Sequence, residues 1–201
     1  LQALRAEQAR AEKARLEDLK QKVEQAIAGN PQHSALKSQI QLDMVRDGLR
    51  IQIVDGNNRP MFDSGSALVK PYMRELLREI GAVLVEVPNR ITLEGHTDAQ
   101  PFAAGDRGYS NWELSADRAN ASRRELVVGG LPEDRMLRVQ GLAASALFNR
   151  DNAFDAQNRR ISIIVMNREA EDRFFRTAPE VAEAIGVDAA AVQPAPEAVR
   201  R

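Results

Sequence analysis

The chain has 201 residues, enough for one ordinary domain with flanking segments, and 43% of them are hydrophobic, which allows a sizeable core. Its 28 Lys+Arg stand against 29 Asp+Glu, a net charge of −1, so the basic excess of a general nucleic-acid binder is absent. No cysteine occurs, which excludes disulfides, thiolate catalysis and zinc–thiolate sites and fits an oxidising compartment. No apolar run approaches the roughly 18 residues of a membrane span, and no signal peptide is recognisable. Because the chain begins at Leu1 rather than Met, it reads as a fragment, with any membrane helix expected upstream.

Residues 1–28 are rich in Ala, Glu, Lys, Arg and Gln and contain neither Gly nor Pro, a composition that predicts a helix. Leu16, Leu19, Val23 and Ala26 fit a short a/d seam that fails toward the N-terminus. The segment reads either as a solvated linker helix or as a short coiled coil, and is expected to add little to domain stability. Gly29-Asn30-Pro31 ends it and opens a polar hinge over 29–41. Residues 42–46 and 49–54 alternate about Asp47-Gly48 as a hairpin, and Asp55-Gly56-Asn57-Asn58 breaks its second strand. Pro71 suits the first position of a helix whose stripe is Met73, Leu76, Leu77, Ile80, Val83, Leu84 and Val87, a core face that Pro88 terminates.

The stretch from 91 to 124 organises the rest. Ile91, Leu93 and Gly95 alternate with Thr92, Glu94 and His96, the period of a strand with one buried face. The strand hands over to a loop at Thr97-Asp98. Ser110 and Glu113 then form a capping box, and the helix they start runs to Gly129-Gly130. Asn111, Leu114 and Arg118 share one face of it. An aspartate at a strand tip and an arginine on the following helix could hold a zwitterion. Further on, 136–142 reads as a short strand, 143–157 as a long loop, and 160–166 as a central, nearly all-apolar strand. Residues 168–177 are expected to form a last helix and 178–201 a poorly ordered tail of Ala, Pro, Glu and Val. The alternation of strands and helices after an opening hairpin predicts an α/β fold, an α+β sandwich in which helices cover a mixed β-sheet.

Thr97-Asp98, then Asn111, Leu114-Ser115 and Arg118-Ala119, with Asn158-Arg159-Arg160 downstream, resemble the pattern of OmpA-like peptidoglycan-binding domains. The longer runs GYSNWELSADRANASRREL and PYMRELLREI resemble the MotB-like stator branch of that family, and the likeness covers about 43–167. It implies an OmpA-like domain over 42–167. It also implies non-catalytic binding of peptidoglycan in the periplasm, a homodimer, a MotA-like membrane channel subunit as partner, and no cofactor. In such domains the matching aspartate and arginine bind meso-diaminopimelate. Asp98 would then accept from the ammonium and Arg118 would take the carboxylate in a bidentate fork. Thr97, Asn111 and Leu114 would shape the pocket, and Asn158 and Arg159 would contact the ligand or buttress Asp98. Which of Arg159 and Arg160 faces the pocket is left open by the sequence.

Bland readings stand beside these. Asp98 could simply cap its own turn, and Arg118 could be a surface ion-pair partner. His96 near Asp98 suggests a metal or hydrolase site, but His33, the only other histidine, lies in the linker and leaves too few ligands. Trp112 is expected to pack. Two other functions remain in view, an envelope tether outside the motor and a cell-wall hydrolase using Asp98 or Glu94 with His96.

Overall fold

The computed structural model describes residues 2–56, 58–102 and 108–184, with side chains through 176. Its centre is a five-stranded sheet of β1 (Ile40–Val45), β2 (Gly48–Val54), β3 (Ile91–His96), β4 (Met136–Gly141) and β5 (Arg160–Met166), in the order β1-β2-β5-β3-β4. Only β3 and β4 run parallel, and the crossover between them carries α3 (Asn111–Val128). This is the mixed sheet with covering helices that the alternation predicts. The apolar strand β5 takes the middle position, paired with β2 on one side and β3 on the other.

One face of the sheet is apolar. Leu49, Ile51, Ile53, Ile91, Leu93, Ile161, Ile163 and Val165 are buried there beneath α1 (Gln2–Gly29), α2 (Pro71–Leu84) and α3. Proline opens α2 as expected, and Met73, Leu76, Leu77, Ile80 and Leu84 of its stripe are buried, with Val87 just beyond it. The opposite face carries Gln52, Thr92, Glu94, His96, Arg160 and Ser162, set by the strict two-residue period of the strands. The first hairpin turns one residue earlier than the sequence suggests. Val45 pairs with Gly48, so Arg46-Asp47 form the loop, and Gly48 (φ +139°) begins β2 in a conformation that disfavours any side chain.

Two glycines bring α3 down onto the strand ends. A Cβ on Gly95 would lie 2.0 Å from the Ser115 carbonyl oxygen, and one on Gly141 would lie 2.4 Å from Ala116 N. The close approach lets Ser115 Oγ accept from Ala143 N–H (3.0 Å) at the loop after β4.

The N-terminal helix corrects an expectation. Leu16, Leu19, Val23 and Ile27 are buried in the same core as α2 and the sheet, whereas residues 2–11 are exposed. Ile27, not Ala26, completes the seam, because a straight helix packing on a domain keeps a 3.6-residue period rather than 3.5. The helix is therefore part of the fold over its second half. Polar ties reinforce it: Glu12 Oε1 accepts from Asn89 Nδ2 (3.1 Å) and Arg168 N (2.9 Å).

The polar segment that follows is pinned as well. Leu36 and His33 are buried, His33 Nδ1 lies 2.7 Å from Glu79 Oε2 of α2, and Gln39 Nε2 donates to the carbonyls of Val54 and Arg59 (both 2.9 Å). At the other end, α4 (Arg168–Ala184) outruns the expected 168–177, and the rest of the expected tail, 185–201, lies outside the described residues. No helix among the described residues is long and apolar enough to cross a membrane.

Candidate functional site

The topology dictates where the charged residues meet. Because β5 lies antiparallel between β2 and β3, its N-terminal end is flanked by their C-terminal ends. Asp55 follows β2, Asp98 comes two residues after β3, and Arg159 directly precedes β5. In register, Val54 and His96 both oppose Arg160, so Arg159 projects to the other, helix-covered side. There its guanidinium donates through Nε to Asp55 Oδ2 (2.8 Å) and through Nη1 to Asp98 Oδ2 (2.7 Å). Asp55 Oδ1 also accepts from Met61 N–H (2.8 Å) and Asp98 Oδ1 from Gln100 N–H (2.9 Å). Both carboxylates are buried while Arg159 is half-buried. Burial works against its charge, but the two carboxylates together hold the Arg159 proton more firmly than usual.

Arg159 is thus the arginine that faces Asp98. Arg160 turns to the polar face, where Nη2 donates to the Ala146 carbonyl (2.7 Å) and the guanidinium lies 6.0 Å from the Phe148 ring centre. Burial there lowers its pKa to about 10.

Arg118 approaches the same cluster from α3. Its guanidinium sits 4.9 Å above the Phe62 ring, with Nε donating to the Ser66 carbonyl (2.9 Å) and Nη2 to that of Asp63 (3.4 Å). It is buried, and desolvation lowers its pKa, offset by the fields of Asp55 and Asp98 and reinforced by that of Arg159. Two carboxylates and two guanidiniums therefore share one buried neighbourhood of zero net charge. The loop-cap reading of Asp98 is half right, since it does accept from Gln100, while Arg118 is not a surface residue.

The remaining expected residues play different parts. Asn111, the first residue of α3, donates through Nδ2 to the Gln100 carbonyl (2.8 Å) and so ties the helix to the Asp98 loop. Helix α3 starts at the predicted capping box, with Ser110 N–H donating to Glu113 Oε2 (2.7 Å) and Ser110 Oγ accepting from Trp112 N–H (3.2 Å). Thr97 is buried, its N–H donating to the Ala143 carbonyl (2.9 Å) and its hydroxyl to the Asp98 carbonyl (2.9 Å). Leu114 is buried. Asn158 is fully buried and engages the 149–152 turn, not Asp98. It donates to the carbonyls of Asn149 (3.2 Å) and Asn152 (2.9 Å) and accepts from Asn149 N–H (2.7 Å).

Asp55 escaped the sequence reading because an Asp-Gly-Asn-Asn run looks like turn chemistry and nothing else. The signal was its place one residue past a strand, at the same end of the sheet as Asp98. Trp112 is the other surprise, 55% exposed where packing was expected. Glu94 and His96 lie on the polar sheet face. His96 is buried, and its Nε2 is 3.7 Å from Glu94 Oε2, beyond hydrogen-bond length, while Gln140 Nε2 donates to Glu94 Oε1 (2.8 Å). No group of three or more potential metal-ligating side chains occurs among the described residues.

Residues 61–160 match the OmpA family. Over 162 residues, 81% of this chain, the sequence is 55% identical to Motility protein B of Escherichia coli K12. The chain spans about half the length of that relative, 53%. Among solved structures, a putative MotB-like protein from Desulfovibrio vulgaris shares the fold with a TM-score of 0.64 at 18% identity, covering 79% of this chain and 98% of that one. The cell wall anchor of the T6SS from Pseudomonas aeruginosa gives a TM-score of 0.54 at 26% identity, covering 66% of this chain and 90% of that one.

Proposed function

Because this chain belongs to the OmpA family, and is similar over most of its length to Motility protein B, we propose that it is the periplasmic, peptidoglycan-binding part of a MotB-like stator subunit. It holds the wall and catalyses nothing. The observation that carries this reading is the meeting of Asp98, Arg118, Arg159 and Asp55 at one end of the three inner strands. A diaminopimelate side chain ends in an ammonium and a carboxylate on one carbon. Asp98 supplies acceptor capacity for the ammonium, since an ionised carboxylate has about four lone-pair sites and two are occupied. The carboxylate meets Arg118, whose Nη1 has no protein partner among the described residues. Asn111 and Arg159 position the two ends, while Thr97, Leu114 and Asn158 hold the loops that carry them. No proton transfer or nucleophile is required.

The stator role adds a membrane helix upstream, a MotA-like partner and a homodimer. The likeness to the T6SS cell wall anchor favours, as a second reading, a tether serving another envelope machine. Two measurements separate the possibilities. The chain should sediment with purified sacculi and be released by a diaminopimelate-containing stem peptide. Grafted in place of the matching part of Motility protein B, it should restore swimming to a strain lacking that protein. Sedimentation without swimming leaves the tether, soluble wall fragments point to a hydrolase, and failure to sediment removes the wall reading.

A further inference from the structure

Asp55 is the one member of the charged cluster that lies outside the stretch matching the OmpA family, which begins at residue 61. Its carboxylate is tied to Arg159, not aimed at a ligand group. We propose, resting on the wall-binding reading above, that Asp55 is a positioning residue that sets selectivity for an ammonium-bearing ligand by drawing part of the Arg159 charge away from Asp98.

The geometry around Asp55 is fixed from several sides. Its Oδ2 accepts from Arg159 Nε (2.8 Å) and its Oδ1 from Met61 N–H (2.8 Å). Its own N–H donates to the Arg159 carbonyl (2.9 Å), so main chain and side chain hold the same arginine. Gln39 Nε2 braces the turn by donating to the carbonyls of Val54 and Arg59 (both 2.9 Å). Asp55 is buried, so these contacts work where water screens charge poorly.

One guanidinium charge is thereby divided between two carboxylates, at 2.8 Å to Asp55 and 2.7 Å to Asp98. Were Arg159 paired with Asp98 alone, an incoming ammonium would meet a carboxylate already matched by a full cation. It would also meet the second guanidinium, that of Arg118, and like charges oppose its entry. With Asp55 in place, two negative groups balance two positive ones and Asp98 retains attraction for a further cation. The field of Asp55 reaches Arg118 as well. Burial lowers the Arg118 pKa, and Asp55 is the largest of the neighbours that offset it, ahead of Asp98.

Two soluble probes separate selectivity from binding. One is the stem peptide L-Ala-γ-D-Glu-meso-diaminopimelate with its side-chain amine free, and the other is the same peptide with that amine acetylated. By calorimetric titration, wild type should bind the free amine about tenfold more tightly. Asp55→Asn, which keeps an acceptor oxygen and removes the charge, should reduce that preference to about twofold or less. Its affinity for the acetylated peptide should stay within a few-fold of wild type. Arg159→Gln removes the resident cation and keeps a side-chain donor, so it should raise the preference above wild type even where total affinity falls. A purely structural bridge predicts otherwise, since losing either half would weaken both peptides in proportion. A preference unchanged in folded Asp55→Asn, or lowered by both variants alike, overturns the role. Should Asp55→Asn not fold, Arg159→Gln decides, and a preference that does not rise overturns it. Equal wild-type affinity for the two peptides overturns it while the wall reading stands on sacculus sedimentation. Wild type that binds neither peptide removes the ligand reading of the cluster, and this role with it.

Discussion

Arg159 donates to Asp98 Oδ2 at 2.7 Å, so the carboxylate read as the receptor for a ligand ammonium already has a resident cation. The same guanidinium holds Asp55 through Nε at 2.8 Å. The fork geometry of arginine makes this double duty possible, whereas a lysine ammonium is a point charge with no fixed divergence. The arrangement holds the Asp98 carboxylate in place before any ligand arrives. Specificity for a zwitterion then comes from Arg118, which approaches from α3 and is held by backbone carbonyls instead of a carboxylate.

Removing Arg159 should therefore damage folding as well as binding. Arg159→Ala strands two buried carboxylates, and breaking such pairs costs about 3–5 kcal/mol in well-buried settings. Arg159 is roughly a third exposed, which moves the expected loss toward about 2–3 kcal/mol. Urea denaturation should show this, with Arg159→Lys recovering only part. Equal stability of wild type and Arg159→Ala would mean that the two aspartates are solvated and the bridge is unimportant.

Asp98→Asn and Arg118→Ala should act on binding more than on folding in the first case, and on both in the second. Charged hydrogen bonds contribute about 1.5–3 kcal/mol, so either change is expected to weaken sacculus retention by about ten- to a hundredfold. Arg118 also packs on Phe62, so its alanine variant should lose thermal stability, while Asp98→Asn, which keeps an oxygen acceptor for Arg159 and leaves Asp55 paired, should lose less than Arg159→Ala. Retention unaffected by both variants would move the ligand elsewhere on the surface.

Asn158 separates the frame of the site from its binding groups. Its alanine variant loses three hydrogen bonds in a fully buried position, and about 2–3 kcal/mol of stability with them. Per folded molecule, affinity for the stem peptide should stay within a few-fold of wild type. A hundredfold loss of affinity at unchanged stability would instead make Asn158 a ligand contact.

Much of this was legible where local rules and tertiary packing agree. The Ser110–Glu113 capping box, Pro71 at the start of α2 and the apolar run of β5 each name their structure because nothing distant competes with them. Asp98 and Arg118 were legible as a pair only through resemblance, since spacing alone could not tell a loop cap from a receptor. What stayed hidden was decided across long sequence distances. Asp55 meets Arg159 only because β5 inserts between β2 and β3, and the 55% exposure of Trp112 is a tertiary outcome that its place in the first turn of α3 does not reveal. The seam of α1 was seen, but a stripe of four apolar residues does not reveal whether its partner is another copy or its own domain.

Glu94 gives a pH signature. The neighbouring His96 imidazole, with Gln140 and Arg138, outweighs burial and holds its carboxyl below the usual value of 4.5. A depressed folded-state pKa means stability that is present above about 4.5 and lost as pH falls through the folded value. Glu94→Gln should lower stability at pH 7 by about 1 kcal/mol and flatten the decline below pH ~4.5. Parallel acid limbs for wild type and variant, from chemical denaturation at a series of pH values, would exclude this carboxyl as a source of acid sensitivity.

The last prediction concerns α1, where exposed and buried halves should behave oppositely. Residues 2–11 are exposed, and Glu12 makes the first polar ties to the domain, so deleting 2–11 should leave the melting temperature nearly unchanged. Deleting 2–28 removes Leu16, Leu19, Val23 and Ile27 and uncovers their partners in the core. Each buried aliphatic side chain contributes about 1.5–3 kcal/mol, so the loss approaches the whole stability of an ordinary domain. Leu19→Ala is the milder test. Leu19 is fully buried, and a large-to-small change there should cost about 2–5 kcal/mol, read from the urea midpoint by circular dichroism. Lys22, bridged to Glu86 on the exposed rim, serves as the contrast, and Lys22→Ala should leave the urea midpoint nearly unchanged. A 2–28 deletion that melts like wild type would show that α1 does not rest on the domain in solution. A large loss from the 2–28 deletion and from Leu19→Ala, with little from the 2–11 deletion and Lys22→Ala, would place the start of the folded unit within α1.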